Sequence, residues 1–193
     1  MNADDFITLA LRNPVNNAVL DELLRLELED AWLVSGCLVQ TAWNVLTGRP
    51  VDYGIDDYDV FYFDPDTSWD AEDAVIKSLS PAAAKLNVTI QARNQARVHL
   101  WYQSRFGYAY PQLTSASDGI DKFLTRNTKV GIRRTRAGDC VYAPDGFDDI
   151  ANLLVTPNPT PHFSPERYAQ KAVRWKSLWP ELTVVEPVVE RGA

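Results

Sequence analysis

Cysteine, histidine and long apolar runs are all scarce in this chain. Its 193 residues include two cysteines, Cys37 and Cys140, and two histidines. Two cysteines cannot build a disulfide framework, and without a CxxC pair or nearby histidines they do not make a zinc site. They are expected to be free thiols in a reducing compartment. No apolar run approaches the ~20 residues that a membrane span requires. The acidic opening, Met1 to Asp5, has neither the basic region nor the apolar core of a signal peptide. A soluble, cytoplasmic protein with no membrane partner is the expectation. Basic residues are also in deficit, 19 against 26 acidic ones, for a net charge of −7. Such a chain repels phosphate polymers, which argues against a nucleic-acid coat protein. A phosphate-bearing ligand would need a cation or a local arginine cluster.

What is present suits a globular domain: 46% hydrophobic and 23% charged residues, and enough length for a sizeable core. No internal repeat or low-complexity stretch stands out, so residues 1–180 are read as one domain and 181–193 as a tail with little signal. Helices are expected over Asp4–Leu11 and Asn17–Leu28, separated by Asn13-Pro14. The apolar run Trp32–Val34 leads through Ser35-Gly36 into a helix that ends at Gly48. The aromatic and branched residues of Asp57–Asp64 predict a strand. Further helices are expected over Asp70–Lys85, interrupted at Pro81, and over Asn94–Arg105, Ser117–Leu124, Phe147–Leu154 and Pro165–Leu178. Strands are expected at Leu86–Ala92, Lys129–Arg136 and Cys140–Ala143. Alternating strands and helices make the fold class α/β (α+β).

The chemistry centres on Asp57 and Asp59. Two residues apart on a strand, both carboxylates project from one face, and they repel unless a cation lies between them. Hard oxygen ligands suit Mg²⁺, with Mn²⁺ as the alternative. The bland alternative is a solvated strand face. Upstream, Ser35, Gly36 and Cys37 open a helix, where backbone N–H groups can hold phosphate oxygens and glycine admits a close approach. A phosphate cradle beside a metal-binding aspartate pair is the equipment of phosphoryl or nucleotidyl transfer.

The order helix, Ser35-Gly36-Cys37, helix, Asp57-Tyr58-Asp59-Val60 resembles the polymerase-β-like nucleotidyltransferase superfamily, with its G-[GS] turn and h-D-h-D-h strand. More closely, the chain resembles the bacterial nucleotidyltransferase family NTP_transf_6. The matching segments are residues 35–44, 57–64, 93–102, 130–133 and 143–149. The resemblance implies a small mixed sheet flanked by helices and transfer of an NMP group from an NTP with Mg²⁺. It also brings departures. Cys37 stands where the superfamily turn has Gly or Ser, and the gap from Gly36 to Asp57 is longer than in the minimal pattern. A third acid is expected on the strand after Asp59, yet that strand carries Gln91, which can coordinate but cannot act as a base. Asp139 is the alternative source of that acid.

Other candidates carry weaker signals. Arg97 and Trp101 share a helical face that could grip a triphosphate or cover a base; the alternative is a structural ion pair and a core tryptophan. Arg133 could add to phosphate binding, or the cluster Arg133, Arg134 and Arg136 could be a charged edge strand. Arg93 and His99 have no assigned role. Trp175 and Trp179 are read as packing. Three functions compete: a metal-dependent nucleotidyltransferase acting on a small molecule or protein, a nucleotide-binding module without transfer, and a toxin–antitoxin-type interaction protein docking through its C-terminal helix and tail. A long nucleic acid is not the expected acceptor.

Overall fold

The computed structural model describes residues 1–107, 109–161 and 163–187. Helix α1 (Ala3–Ala10) opens with a reciprocal cap between Asn2 and Asp5, and α2 (Pro14–Arg25) with the Asn13 side chain and a first-turn proline. There follow β1 (Trp32–Val34), α3 (Gly36–Leu46), β2 (Tyr58–Tyr62), α4 (Trp69–Leu86), β3 (Ile90–Asn94) and α5 (Val98–Phe106). The second half holds α6 (Ala116–Ile120), β4 (Gly131–Thr135), β5 (Gly138–Tyr142), α7 (Asp148–Ala151), β6 (Leu154–Val155), α8 (Pro165–Leu178) and β7 (Thr183–Val184).

Five strands form one mixed sheet in the order β3-β2-β1-β4-β5, with β2 and β3 parallel and the other neighbours antiparallel. Alternation sorts the faces. Leu33, Tyr58, Val60, Tyr62, Ala92 and Ile132 enter the core, where α2 and α4 cover the sheet. Asp59 and Phe61 on β2, with Gln91 and Arg93 on β3, lie on the opposite face and are only half-buried.

Several expected boundaries move for local reasons. Helix α4 runs through Pro81 without a break: a proline in an 18-residue helix removes one bond, while buried Glu72 and Leu79 keep the helix seated. It ends at Asn87, whose left-handed φ of 54° turns the chain, so β3 starts at Ile90 rather than at Leu86. Asn94 is the last residue of β3, not the first of a helix. Its side chain accepts from the N–H groups of Asp64 and Ala96 and donates to the Asp64 and Asp66 carbonyls. Residues 95–97 form a 3₁₀ turn before α5. The helix expected over Phe147–Leu154 shrinks to α7, and Leu154 joins β6.

The C-terminal segment docks as well. Trp43 meets Trp175 edge-on at 5.4 Å and Trp179 at 5.6 Å, and the Trp179 indole donates to Asn44 Oδ1 at 2.8 Å. This cluster, fully buried, fastens α8 to α3 and confirms the packing role expected of Trp175 and Trp179. Beyond Pro180, Leu182 is buried and β7 pairs in parallel with β6, so the region set apart as a tail begins inside the fold. Among the described residues no helix is long and apolar enough to cross a membrane.

Candidate functional site

The β1–β2 register assembles the centre. Val34 stands opposite Asp59, so the turn that follows Val34 lies beside Tyr58 and Asp57. At that turn Ser35 is held at φ 61°, ψ −117°, a conformation that non-glycine residues rarely adopt and that costs about 1–3 kcal/mol. The Ser35 N–H donates to the Val130 carbonyl at 2.9 Å, and the Ser35 carbonyl accepts from Leu38 and Val39. No side chain caps α3, which leaves its first N–H groups to serve an outside acceptor. Gly36 is half-buried, and a Cβ there would sit 3.2 Å from Gln40 Nε2. Gln40 is itself buried, and its Oε1 lacks a partner among the described residues. The Cys37 side chain turns into the core with Sγ 3.7 Å from the Val34 carbonyl. Burial, and then the charge of Asp59, push its thiol well above the ordinary range. Cys37 can therefore contribute its backbone and not its sulfur.

Asp57 and Asp59 share the open face. Burial, with Asp57 next in weight, pushes the Asp59 carboxyl up to about 6; Lys171 and Arg93 pull the other way. Gln91 stands in register with Asp59, and its amide donates to Asp57 Oδ2 at 2.6 Å. The position where a third acid was expected thus adjoins the pair, and it holds a neutral donor. Among the described residues no group of three or more His, Cys, Asp or Glu could hold a metal ion. Two carboxylates facing one way, each unable to relieve the other's charge, suit a single hard cation that takes its remaining ligands from substrate and water.

Other expected residues lie elsewhere. Arg97 is buried on the α4 side, where Nη1 meets Glu72 Oε2 at 2.5 Å and the guanidinium sits 5.5 Å from the Trp69 ring. Arg133 lies 3.8 Å from Asp30, two strands away from β2. Asp139 is on the edge strand β5 and forms a two-pronged pair with Arg134, which also binds Asp21. That placement rules it out as the third acid. His99 Nδ1 is buried without a partner among the described residues.

A cleft of about 540 Å³ continues from the aspartates, with Phe61 and Arg93 in its floor and α5, α6 and α8 around it. Lys171, on α8, is held below its ordinary range by burial, while Asp59 and Asp57 oppose that shift. Sequence reasoning passed over this wall, although Arg167, Lys171 and Arg174 recur at i, i+4 and i+7, the spacing of one helix face. Trp101, by contrast, was singled out and does line the cleft.

A family model described as nucleotidyltransferase, NTP_transf_6, matches residues 21–184. Among curated proteins none matches the chain. A solved structure described as revealing a CCA-adding enzyme head domain is similar at 28% identity with a TM-score of 0.73. The match covers 96% of this chain and 97% of that one.

Proposed function

The chain belongs to the NTP_transf_6 family of nucleotidyltransferases, and on that premise we propose that it is a divalent-metal-dependent enzyme moving an NMP group from an NTP to an acceptor hydroxyl. Family and fold together support nucleotidyl transfer in general. The observation that carries the finer reading is the register of Val34 with Asp59, which sets the uncapped start of α3 beside two carboxylates on one face. In this reading the backbone of Ser35, Gly36 and Cys37 receives the outer phosphates of the NTP. Asp57 and Asp59 hold Mg²⁺, or Mn²⁺, which when bound neutralises phosphate charge and aligns the attacking and leaving oxygens. Gln91 holds Asp57 in place through its amide. Arg97 and Arg133 are left out of the phosphate-binding set, since their guanidiniums face Glu72 and Asp30. Free Cys37 and Cys140 suit a reducing, cytoplasmic setting.

Release of pyrophosphate from a labelled NTP tests the proposal. Activity is expected with Mg²⁺ or Mn²⁺ and should fall at least 10²-fold in Asp57→Ala and in Asp59→Ala. Equal turnover in the wild type and both variants would overturn it. The Gln91–Asp57 bond supports a second reading, a nucleotide-binding module without transfer, because a carboxamide cannot take the proton of an acceptor hydroxyl. Tight Mg–NTP binding without turnover, with turnover appearing in Gln91→Glu, would favour it. The toxin–antitoxin-type reading cannot use the tryptophans of the C-terminal helix for docking, since Trp175 and Trp179 face Trp43 inside the fold.

A further inference from the structure

The cleft beside the aspartate pair reverses the charge of the molecule. The chain carries 26 acidic and 19 basic residues, yet among the described residues the cleft wall contains no Asp or Glu and five basic side chains, Arg93, Lys122, Arg167, Lys171 and Arg174. Elsewhere most arginines are answered by a carboxylate: Arg25, Arg49, Arg97, Arg134 and Arg136 all sit in ion pairs at 2.9 Å or less. Arg174 is paired too, with Asp56. Among the described residues Arg93, Lys122, Arg167 and Lys171 have no such partner. Their charges converge on one volume from three separate parts of the chain, β3, the segment after α6, and α8. An acidic chain gathers four cations outside any ion pair in one place, Arg93 and Lys171 offset only at longer range by Asp59, and the electrostatic cost of gathering them is relieved when an anion enters.

The same cleft is lined by aromatic rings. Phe61 stacks on Phe123 with centroids 5.2 Å apart and planes 14° from parallel, and Trp101 and Tyr102 look in from α5. These rings are half-buried rather than sealed in the core. Cations interleaved with half-buried rings fit a ligand that is anionic at one end and flat at the other. A volume of about 540 Å³ is of the size that holds a small-molecule ligand.

Resting on the nucleotidyl-transfer reading, we propose that this cleft is the acceptor site and that the acceptor bears a nucleotide: a phosphate held by Lys122, Arg167 and Arg93, and a base against Trp101 and Phe123. The position favours the acceptor over the donor. Val34 stands opposite Asp59, so the start of α3 adjoins the pair at the Asp57 end of β2, whereas the cleft adjoins it at the other end, at Phe61 and its β3 neighbour Arg93. In-line displacement brings the attacking oxygen in opposite the leaving pyrophosphate. With the pyrophosphate at the α3 turn, the acceptor hydroxyl enters from the cleft. The hydroxyl oxygen then bonds to the α-phosphorus, the bond from that phosphorus to the pyrophosphate oxygen breaks, and the hydroxyl proton leaves to solvent. A nucleotide of this size is compatible with a net charge of −7, because the basic cluster that would hold it is local to the cleft.

Fluorescence anisotropy of a fluorescein-labelled single-stranded trinucleotide, on the full chain with EDTA present, tests the site without turnover. Lys122→Gln and Arg167→Gln, both at exposed positions, should each weaken binding several-fold and reduce the slope of log affinity against log salt by about 0.7. Trp101→Ala should weaken the trinucleotide about tenfold and leave binding of inorganic phosphate unchanged. Asp57→Asn should bind the probe like the wild type, so loss of transfer and loss of this site are separable. Adenosine monophosphate competing as well as unlabelled trinucleotide identifies a free nucleotide as the source, and a trinucleotide advantage of tenfold or more identifies a chain end; either supports the proposal. No binding, binding unchanged in Lys122→Gln and Arg167→Gln, or, in a Mg²⁺ buffer, displacement of the probe by a non-hydrolysable NTP at least tenfold more effectively than by adenosine monophosphate would overturn it, the last by giving the cleft to the donor.

Discussion

Replacing Asp59 by asparagine should make the metal-free protein more stable, and by an amount that depends on pH. Burial and the neighbouring Asp57 raise the Asp59 carboxyl from 3.8 to about 6 in the folded state, whereas in the unfolded chain it ionises near the ordinary value. Below about pH 4 both states are protonated and the residue is neutral toward stability. Between about pH 4 and 6 the unfolded chain releases its proton while the folded state keeps it, so stability falls as pH rises. Above about pH 6 the full penalty is in place. A shift of roughly two units at 1.36 kcal/mol each gives an upper value of about 3 kcal/mol, and the side chain's partial exposure brings the expectation to about 2 kcal/mol. Urea unfolding of wild type and Asp59→Asn in EDTA, from pH 4 to 8, measures the gap. It should open from about zero near pH 4 to about 2 kcal/mol in favour of the variant at pH 7.5. Adding Mg²⁺ should close it by stabilising only the wild type. A gap that does not change with pH would refute the assignment of strain to the paired carboxylates.

Two further predictions concern residues near the site that the structure assigns to architecture. Glu72→Ala should destabilise by about 3–5 kcal/mol in thermal or urea unfolding, because it strands the buried Arg97 guanidinium and the Asn94 N–H that the carboxylate now accepts; at a temperature where the variant stays folded, nucleotide affinity should be unchanged. Thiol labelling of the native protein should modify exposed Cys140 and spare Cys37, which reacts only on unfolding; fast native labelling of Cys37 would contradict its placement in the core.

The site was partly legible in advance because its first requirements are local. Strand alternation is enough to put Asp57 and Asp59 on one face, and a small-residue turn before a helix is enough to propose uncapped N–H groups. The reciprocal cap between Ser115 and Asp118 is local in the same way, joining residues three positions apart. Arg97 was misplaced by treating residues 94–105 as one helix. The chain stays extended to Asn94 and tightens into a 3₁₀ turn, which swings Arg97 toward Glu72, 25 positions earlier. Asp139 looked like a spare acid only because its partner, Arg134 across the hairpin, which also pairs with Asp21, is decided by strand pairing.

By itself, the sequence determined most of the element types, the shared face of the two aspartates and the turn at Gly36, since each depends on residues within a few positions of one another, and the family, through motifs spread over residues 35–149. Tertiary structure alone decided which charges are answered. Gln91 meets Asp57 because β2 and β3 run parallel, and Lys171 faces the aspartates because the Trp43–Trp175–Trp179 cluster fastens α8 against α3. Periodicity sets the direction in which a side chain points along its own element. What it meets there depends on long-range packing, and that is where an overall charge of −7 comes to enclose a basic, aromatic cleft.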